Sequence, residues 1–378
     1  MSGRLVKAAF EIGFEPDVVI IDDADEMNML QLKAAKKHLF SKTIVIAGDS
    51  TTIQDRCEVS SIDMYPPTFF DKVKSSPIDF LQTVLTEQYF CHEFLMIWPN
   101  KTFFDNKLTN KGNVKTLLEK YDANNKINIK FRDLYDILTI ADTSVIRGTE
   151  SIATYERKKL DSQRGFVSYY NEAEAKFAIA HYFNLLNLGV PNSQIAIMSH
   201  YKAQTDYIKK GFKSHSLGFD VPNVGTLSAF RKRRFEVVIF SLTRNSPSGD
   251  IGGMIDPRRF CTAITYASRQ FMLIGSSFML KDCENTSISN LYKLLQVNSI
   301  DPRLIRGENF DFDRAHSMHN FGKKRERFQK FISGKEEDVG NCEDYEDYEE
   351  YKRDEEWETG KRKFSIDLKM EWKRMKFY

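Results

Sequence analysis

The middle of the chain alternates between short apolar runs and polar segments, and this pattern predicts a parallel sheet. Residues 237–242 and 271–275 are almost entirely apolar, which is typical of strands buried on both faces. The arginine-rich stretch 258–267 lies between them and is predicted as a helix. Polar residues follow the apolar runs, at the edge where open α/β sheets bind ligands. The segment 224–275 therefore predicts the organising core of an α/β domain.

Further strands are predicted on the N-terminal side of this core. Residues 18–21 and 43–47 are apolar strands separated by an amphipathic helix, residues 29–40. Together they form a βαβ unit. Residues 166–169 and 195–198 are two more predicted strands, which extends the α/β pattern over most of the chain.

Helix signals follow the strand at 166–169. Asn171 and Glu174 have the spacing of a capping box, and Gly189 marks the end of the helix. Another helix follows the polar segment 199–204. Residues 109–165 are polar and irregular, and no regular structure is predicted for them.

The composition changes after residue 297. Charged residues dominate there, and residues 336–358 form an acidic block with basic clusters on either side. Such a tail cannot bury enough apolar surface and is predicted to be disordered. Its scattered tyrosines and tryptophans leave open a helix that forms on a protein partner.

Length and composition limit the classes of protein to which the chain can belong. The 378 residues are enough for two domains, and a net charge of +2 leaves attraction of nucleic acid to local patches. The cysteines lack metal-binding spacing, which is typical of free thiols in a reducing compartment. Because no long apolar run occurs, we expect an intracellular protein, cytoplasmic or nuclear, without a membrane segment.

Two carboxylates follow the first predicted strand. Asp22 and Asp23 come directly after residues 18–21, where one carboxylate can hold Mg²⁺ and the next can orient an attacking water. A helix-capping aspartate explains the same pattern. The strand pair and the amphipathic helix between them form a βαβ unit, which favours the magnesium interpretation over a simple helix cap.

Three short motifs stand in this part of the chain: Asp-Asp-Ala at 22–24, Gly-Asp-Ser-Thr-Thr at 48–52 and Tyr-Phe-Cys-His at 89–92. They resemble motifs of the superfamily 1 helicases of the nonsense-mediated-decay and senataxin-like group. Residues 22–24 stand where the family has D-E-A, and residues 48–52 stand where it has G-D-x-x-Q. Residues 89–92 resemble the family's Y-R-x-H motif.

The resemblance continues in the second half of the chain. Residues 168–175 resemble S-x-x-N-x-x-E-A, and residues 199–204 resemble T-P-Y-x-x-Q. Residues 226–234 stand in the place of motif V, T-V-D-x-F-Q-G-x-E, and Arg244 ends an S-x-x-R motif. Residues 258–267 resemble motif VI, R-R-L-N-V-A-L-T-R-A.

The eight motifs follow the family's order over residues 15–297, which indicates common ancestry. The resemblance implies RecA-like parallel sheets flanked by helices. Residues 1–93 would be a fragment of the first lobe, and residues 94–297 the complete second lobe with an irregular insertion at 109–165. Residues 298–378 would form the charged tail.

The resemblance also assigns residues to nucleotide chemistry. Asp22 and Asp23 would be the catalytic carboxylates, with Asp22 as the magnesium ligand if a nucleotide binds. The other residues that would contact a nucleotide are Asp49, Arg244, Arg258 and Arg259.

Departures from the family pattern predict that this chemistry is lost. No G-x-x-x-x-G-K-T loop occurs in the chain, so no cradle is predicted for the β- and γ-phosphates. Phe90 and Tyr266 stand where the family has arginines that would contact the γ-phosphate. Such an arginine is worth roughly 10³–10⁵ in rate. We therefore expect no bound cofactor and no ATPase activity of the chain's own.

Residues that would contact nucleic acid are better preserved. The resemblance implies that the hydroxyls of Ser199 and Thr226 bind phosphates, which carries no sequence information. His200 would stack on a base or cover the helix below it, and Tyr201 belongs to the same motif. A basic turn adds cations that are either phosphate ligands or merely solvated; it consists of Arg231, Lys232, Arg233 and Arg234.

Three functions remain open. The first is a helicase-like protein that binds RNA or single-stranded nucleic acid without its own ATPase. The second is part of an active ATP-dependent helicase, in which a longer chain or a partner supplies the phosphate loop and ATP and Mg²⁺ are cofactors. The third is a scaffold that captures a protein partner through residues 298–378.

Overall fold

The computed structural model describes residues 16–24, 43–49, 81, 83–146, 155–160, 167–214, 222–246 and 248–306. Its strands are β1 (Val18–Ile21), β2 (Thr43–Ile46), β3 (Glu87–Gln88), β4 (Thr109–Asn110), β5 (Leu138–Asp142), β6 (Arg157–Leu160), β7 (Val167–Tyr170), β8 (Ile195–Ser199), β9 (Asn223–Thr226), β10 (Phe235–Ser241), β11 (Ala267–Gly275) and β12 (Ser299–Ile300). Its α-helices are α1 (Glu93–Phe103), α2 (Leu117–Tyr121), α3 (Glu172–Leu188), α4 (Lys202–Ser214), α5 (Pro257–Thr265), α6 (Phe278–Lys281) and α7 (Thr286–Leu295).

A parallel sheet is the centre of the described part of the chain. Its six strands have the order β12-β5-β11-β10-β8-β9, and every neighbouring pair is parallel. Helices connect strands that run in the same direction, as parallel pairing requires. The predicted α/β class, with a parallel sheet flanked by helices, is confirmed.

Side chains of the central strands alternate between two hydrophobic cores. On β10, Val238 and Phe240 join one core, whereas Val237 and Ile239 join the other. Helices α1, α5, α6 and α7 cover the first face, and α3 and α4 cover the second. Burying one such side chain stabilises the fold by about 1.5–3 kcal/mol. Burial on both faces explains why the predicted runs contain almost no polar residue.

Capping residues set the limits of α3 largely as predicted. The Asn171 side chain accepts from the Glu174 backbone N–H, and Gly189 ends the helix with a φ of 105°, a left-handed conformation that glycine adopts without strain. The return bond of a capping box is not formed, because the Asn171 N–H donates to Gln204 Oε1 at 2.7 Å. The Glu174 carboxylate is thereby available for another role.

Residues 109–165 correct the prediction of an irregular insertion. The strand β5 lies between β11 and β12, and all of its residues are buried. The Asp142 carboxylate at its end accepts from the backbone N–H groups of Ser144 and Ser277, each at 3.0 Å. Thr139 interrupts a run that is already short, so the apolar pattern alone is too weak to predict this strand.

The folded part also extends beyond residue 297, where a disordered tail is predicted. The strand β12 pairs with β5, and Ile300 and Ile305 are buried in the second core. Residues 307–378, the rest of that predicted tail, lie outside the described residues, as does the predicted helix at 29–40.

The first predicted βαβ unit is described only in part. Strands β1 and β2 form a separate parallel pair with the predicted strand positions. Val18, Ile20 and Ile44 are each more than half exposed on it. The boundary at residue 93 stays a prediction. Among the described residues, no helix is long and apolar enough to cross a membrane.

Candidate nucleic-acid interface

The parallel register brings three hydroxyl-bearing residues to the carboxyl edge of the sheet. Ser199 ends β8 and lies opposite both Thr226, at the end of β9, and Ser241, at the end of β10. Positions far apart in the sequence are therefore immediate neighbours. The two hydroxyl residues predicted to bind nucleic acid, Ser199 and Thr226, belong to this group.

Part of this edge is an interior hydrogen-bond network centred on Glu174. The fully buried Glu174 carboxylate accepts from the Ser241 hydroxyl and from the Thr243 N–H, each at 2.7 Å. It also accepts from Asn171 Nδ2 at 3.1 Å. Gln204 Nε2 donates to Ser241 Oγ at 2.9 Å, so the beginnings of α3 and α4 are tied to the end of β10.

Burial changes the acidity of Glu174. Removal of the carboxylate from water raises its pKa to about 8, although the hydrogen bonds from Ser241 and Thr243 favour the ionised form. The sequence places Asn171, Glu174 and Gln204 in two separate motifs. The spacing of these three residues in the sequence does not predict that they belong to one hydrogen-bond network.

Ser199 and Thr226 differ in their accessibility. The Ser199 side chain is fully buried, and its hydroxyl lies 2.8 Å from Thr243 Oγ1. A phosphate contact by Ser199 would require that hydrogen bond to open. Thr226 is half-buried, and its hydroxyl lies 3.2 Å from the exposed Ser228 hydroxyl. Both assignments stay predictions, and Thr226 is the more accessible of the two.

Glycines hold a loop tightly against His200 and Tyr201. A Cβ at Gly253 would clash with the His200 ring, and one at Gly252 would clash with the Tyr201 hydroxyl. Arg259 Nη1 donates to His200 Nδ1 at 2.5 Å. His200 is therefore packed between protein groups on more than one side, and its stacking on a base stays a prediction.

The arginines predicted to hold a nucleotide contact side chains of the protein itself. Arg244 is buried, and it donates to Glu156 at 3.0 Å and to Asp250 at 2.9 Å. Arg258 Nε and Nη2 both donate to the Asp256 carboxylate, at 3.0 and 2.8 Å. Arg259 is bonded to His200, so all three arginines are engaged in hydrogen bonds within the protein. Their assignment to nucleotide binding stays a prediction.

The three aspartates predicted for nucleotide chemistry, of which Asp22 is the predicted magnesium ligand, lie at the ends of β1 and β2. Asp22 is exposed, and its Oδ1 accepts from the Asp23 N–H at 3.1 Å. Asp23 has a φ of 52° and forms an ion pair with Lys232. Asp49 is exposed beyond β2. Within the described ranges no group of three or more acidic, histidine or cysteine side chains is arranged to hold a metal ion.

The basic turn lies at the amino edge of the sheet, which corrects its predicted position beside Thr226. Thr226 is level with Ser199 at the end of β8, whereas β10 starts at Phe235, two residues before the level at which β8 begins. Six residue levels along a strand correspond to about 20 Å. The 3-10 helix Leu227–Phe230 folds back along β9 and carries the chain away from Thr226.

Arginine contacts fix the turn at this edge. Arg233 Nη2 donates to Asn223 Oδ1 at 2.8 Å, at the start of β9. Arg234 Nη1 donates to the Thr265 carbonyl at 2.8 Å, at the end of α5. The residue after Thr265 is Tyr266, whose carbonyl accepts from the N–H of the first residue of β10.

The segment that resembles Y-R-x-H reaches the same edge. The Arg234 guanidinium lies 4.5 Å from the centre of the Phe90 ring, and the His92 N–H donates to the Ser268 carbonyl at 2.8 Å. His92 caps α1, because its Nδ1 accepts from the Phe94 N–H at 3.3 Å, and burial lowers its pKa. Phe90 and Tyr266, which stand where the family has arginines, therefore both lie near the basic turn.

A parallel sheet with polar groups at the ends of its strands defines an open α/β domain, a class of protein that binds ligands at the carboxyl ends of its strands. A family model described as AAA domain (AAA_12) matches residues 67–278, more than half of the chain. The chain belongs to this family and to the superfamily 1 helicases of the nonsense-mediated-decay and senataxin-like group. The predicted resemblance is confirmed.

Several curated relatives are helicases by name. An uncharacterized ATP-dependent helicase of Methanocaldococcus jannaschii is 28% identical over 71% of this chain and 37% of its own length. The DNA polymerase alpha-associated DNA helicase A of Schizosaccharomyces pombe is 26% identical over 70% of this chain and 38% of its own length. Helicase sen1 of the same yeast is 21% identical over 90% of this chain and 19% of its own length. The chain therefore spans less than half of each relative.

Proposed function

We propose that this protein binds RNA or single-stranded DNA through the carboxyl edge of its sheet and does not itself turn over ATP. The observation that carries the proposal is the pairing of β8 with β9. It places the half-buried Thr226 beside the start of α4, where Lys202 is exposed and forms an ion pair with Asp206. Hydroxyl and ammonium groups contact the phosphate backbone of any sequence.

The helicase relatives support a nucleic-acid ligand. One of them is named a DNA helicase, and others are named helicases without a stated substrate. RNA and single-stranded DNA share the phosphates that the carboxyl edge would contact, so both belong to the proposal. The exact compartment, nucleus or cytoplasm, stays a prediction.

The proposed loss of ATP turnover is supported by side chains, not by the length of the chain. Phe90 and Tyr266 replace two arginines of the family motifs, and a replaced arginine of that kind costs roughly 10³–10⁵ in rate. Arg244 and Arg258 are bonded to carboxylates of the same chain. In an intact motor, ATP would supply the energy for strand movement. Because Arg244 and Arg258 are bonded to carboxylates, they offer the ATP phosphates few cationic contacts.

The test is a titration of the full chain with labelled single strands of about 20 nucleotides, poly-uridine and poly-thymidine. Each titration is repeated between about 50 and 200 mM salt, because the affinity for single strands falls by about 0.7 log units per log unit of salt for each phosphate contact. We expect Thr226→Val to weaken binding by about twofold to tenfold, the value of one hydrogen bond.

A matched threonine controls for the substitution itself. Thr43→Val makes the same change at the exposed start of β2, in the separate two-stranded pair, and is expected to leave affinity unchanged. Binding that is absent at low salt, or that responds equally to both substitutions, would remove the proposal.

A second candidate is that the chain forms part of a working helicase. The observation that favours it is the placement of Asp22, Asp23 and Asp49 at the ends of two parallel strands, together with relatives more than twice as long as the matched segment. In that case a phosphate loop comes from elsewhere. ATP hydrolysis by the assembled protein that is lost in Asp22→Ala would favour this candidate.

A further inference from the structure

An exposed aromatic ring lies beside cations at the amino edge. The Phe90 side chain is 61% exposed, and the Arg234 guanidinium covers one face of the ring at 4.5 Å from its centre. The hydrogen bond from Arg234 to Thr265 holds the guanidinium in that position. The remaining exposed surface of the ring is open to a ligand.

Backbone and side-chain bonds present this ring on a fixed turn. Gln88 Oε1 accepts from the Phe90 N–H at 3.0 Å, and Gln88 Nε2 donates to the Cys91 carbonyl at 2.9 Å. The following residue, His92, is bonded to the start of β11. A ring held in this way loses little conformational entropy when a flat group stacks on it.

The basic turn presents a second kind of contact. The Lys232 side chain is 67% exposed, and the residue has a φ of 61°, which lysine rarely adopts. The turn is closed by the bond from the Arg233 N–H to the Phe230 carbonyl at 3.0 Å. Its position is therefore set by the protein and not by a flexible loop.

Asp23 is the carboxylate that faces Lys232. Both side chains of this ion pair are substantially exposed, so the pair is screened by solvent and changes an equilibrium by at most about fivefold. A polyanion that releases its counterions on binding can displace such a partner. The pair therefore attenuates phosphate binding at Lys232 without blocking it.

From these contacts we infer a second nucleic-acid surface at the amino edge, where a base stacks on Phe90 and the basic turn binds adjacent phosphates. The ligand class is single-stranded nucleic acid, because stacking needs an unpaired base and the cations need linked phosphates. The inference rests on the proposed function, to which it adds a surface about 20 Å from Thr226.

Stacking and charge leave different signatures in the same titration. Phe90→Ala is expected to weaken binding by about fivefold to hundredfold with an unchanged salt dependence, because stacking releases no counterions. Lys232→Gln is expected to lower the slope of log affinity against log salt by about 0.7. Asp23→Asn is expected to raise affinity by up to about fivefold, since it removes one anionic partner of Lys232.

Each variant has a control of the same chemistry. Phe278→Ala removes a ring that is 56% exposed on α6, Lys209→Gln removes an exposed cation two turns along α4, and Asp17→Asn removes an exposed carboxylate at the other end of β1. All three are expected to bind like the unmodified chain. Unfolding curves establish that every variant is folded.

The outcomes separate this inference from the proposed function. If Phe90→Ala binds like the unmodified chain while Thr226→Val is weakened, the second surface is wrong and the proposed function stands. If the unmodified chain does not bind, both are wrong. In a competition experiment, a mononucleotide is added at the same concentration as the labelled strand. If it displaces the strand from the unmodified chain but not from Phe90→Ala, the ligand of this surface is a mononucleotide, and the inference is overturned.

Discussion

At the carboxyl edge of the sheet, the hydroxyls of Ser199 and Ser241 are buried around Glu174, whereas at the amino edge Phe90 and Lys232 are mostly exposed. Both edges carry residues that match or replace helicase motifs. The comparison shows that motif identity does not tell whether a polar group meets a ligand or the protein interior. Burial and hydrogen-bond partners decide that question: they place Ser199 and Ser241 in the protein interior, whereas Thr226 at the same edge is only half-buried and Lys232 at the amino edge is exposed.

The largest expected effect comes from the buried carboxylate. Glu174→Leu leaves the donors of Asn171, Ser241 and Thr243 without their acceptor, and each such group costs about 1–3 kcal/mol. We expect the free energy of unfolding to fall by at least about 3 kcal/mol in urea titrations. Glu172→Ala, which removes the partly exposed ion pair with Arg157 at the start of the same helix, is the control and should cost less than about 1 kcal/mol. Equal losses would show that the network is not central to stability.

The pH dependence of stability follows from two buried groups with opposite signs. Glu174 has a pKa raised to about 8, so the folded chain keeps a proton that the unfolded chain loses above its ordinary value, and the free energy of unfolding falls as pH rises toward 8. Burial lowers the pKa of His181 to about 4, so its contribution rises with pH and is complete near its ordinary value of 6.5.

Of these two groups, only Glu174 changes the free energy of unfolding with pH above pH 6.5. We expect a fall of about 2 kcal/mol in the free energy of unfolding between pH 6.5 and 8, measured by urea titration at several pH values. Glu174→Gln should flatten this part of the profile. A slope that survives the substitution would assign the effect to a different group.

A smaller effect is expected from the loop that covers His200. Gly253→Ala places a methyl group against the His200 ring and should cost about 1–3 kcal/mol through overpacking. Gly249→Ala meets no atom within 4 Å and is strained only by its φ of 72°, so about 1 kcal/mol is expected. Thermal unfolding of both variants compares the two causes. A larger loss of stability in Gly249→Ala than in Gly253→Ala would mean that the loop moves easily to accommodate a methyl group beside His200.

The smallest expected effect on stability lies at the amino edge. Asp23→Asn removes a solvent-exposed ion pair with Lys232 and should change the free energy of unfolding by less than about 1 kcal/mol at low salt, and by less at high salt. Urea titrations at two salt concentrations measure it. A loss as large as that of Glu174→Leu would erase the difference between the two edges.

The sequence carries enough information for the sheet but not for its edges. Two-sided burial leaves a clear apolar pattern in β10 and β11, and polar residues after the strands predict the carboxyl edge. The strand β5 is not predictable in this way, because Thr139 and Asp142 occupy two of its five positions. The pairing of Ser199 with Thr226 depends on strand order, which the local pattern does not encode.

The sequence does not predict the position of the basic turn, for a different reason. Arg231 lies only five positions after Thr226, and closeness in sequence suggests closeness in space. The 3-10 helix Leu227–Phe230 reverses that expectation, because it returns the chain to the start of the next parallel strand. Likewise, the sequence spacing predicts that Glu174 accepts from the Asn171 N–H as part of a capping box. In the structure that N–H donates to Gln204, which is distant in sequence.

The central claim is that nucleic-acid binding remains while ATP turnover is lost, and one paired measurement tests it most directly. The full chain is titrated with labelled poly-uridine, and phosphate release from ATP and Mg²⁺ is followed in the same samples. The account predicts salt-dependent binding with phosphate release no higher than background. Phosphate release that increases with RNA and disappears in Asp22→Ala would contradict it.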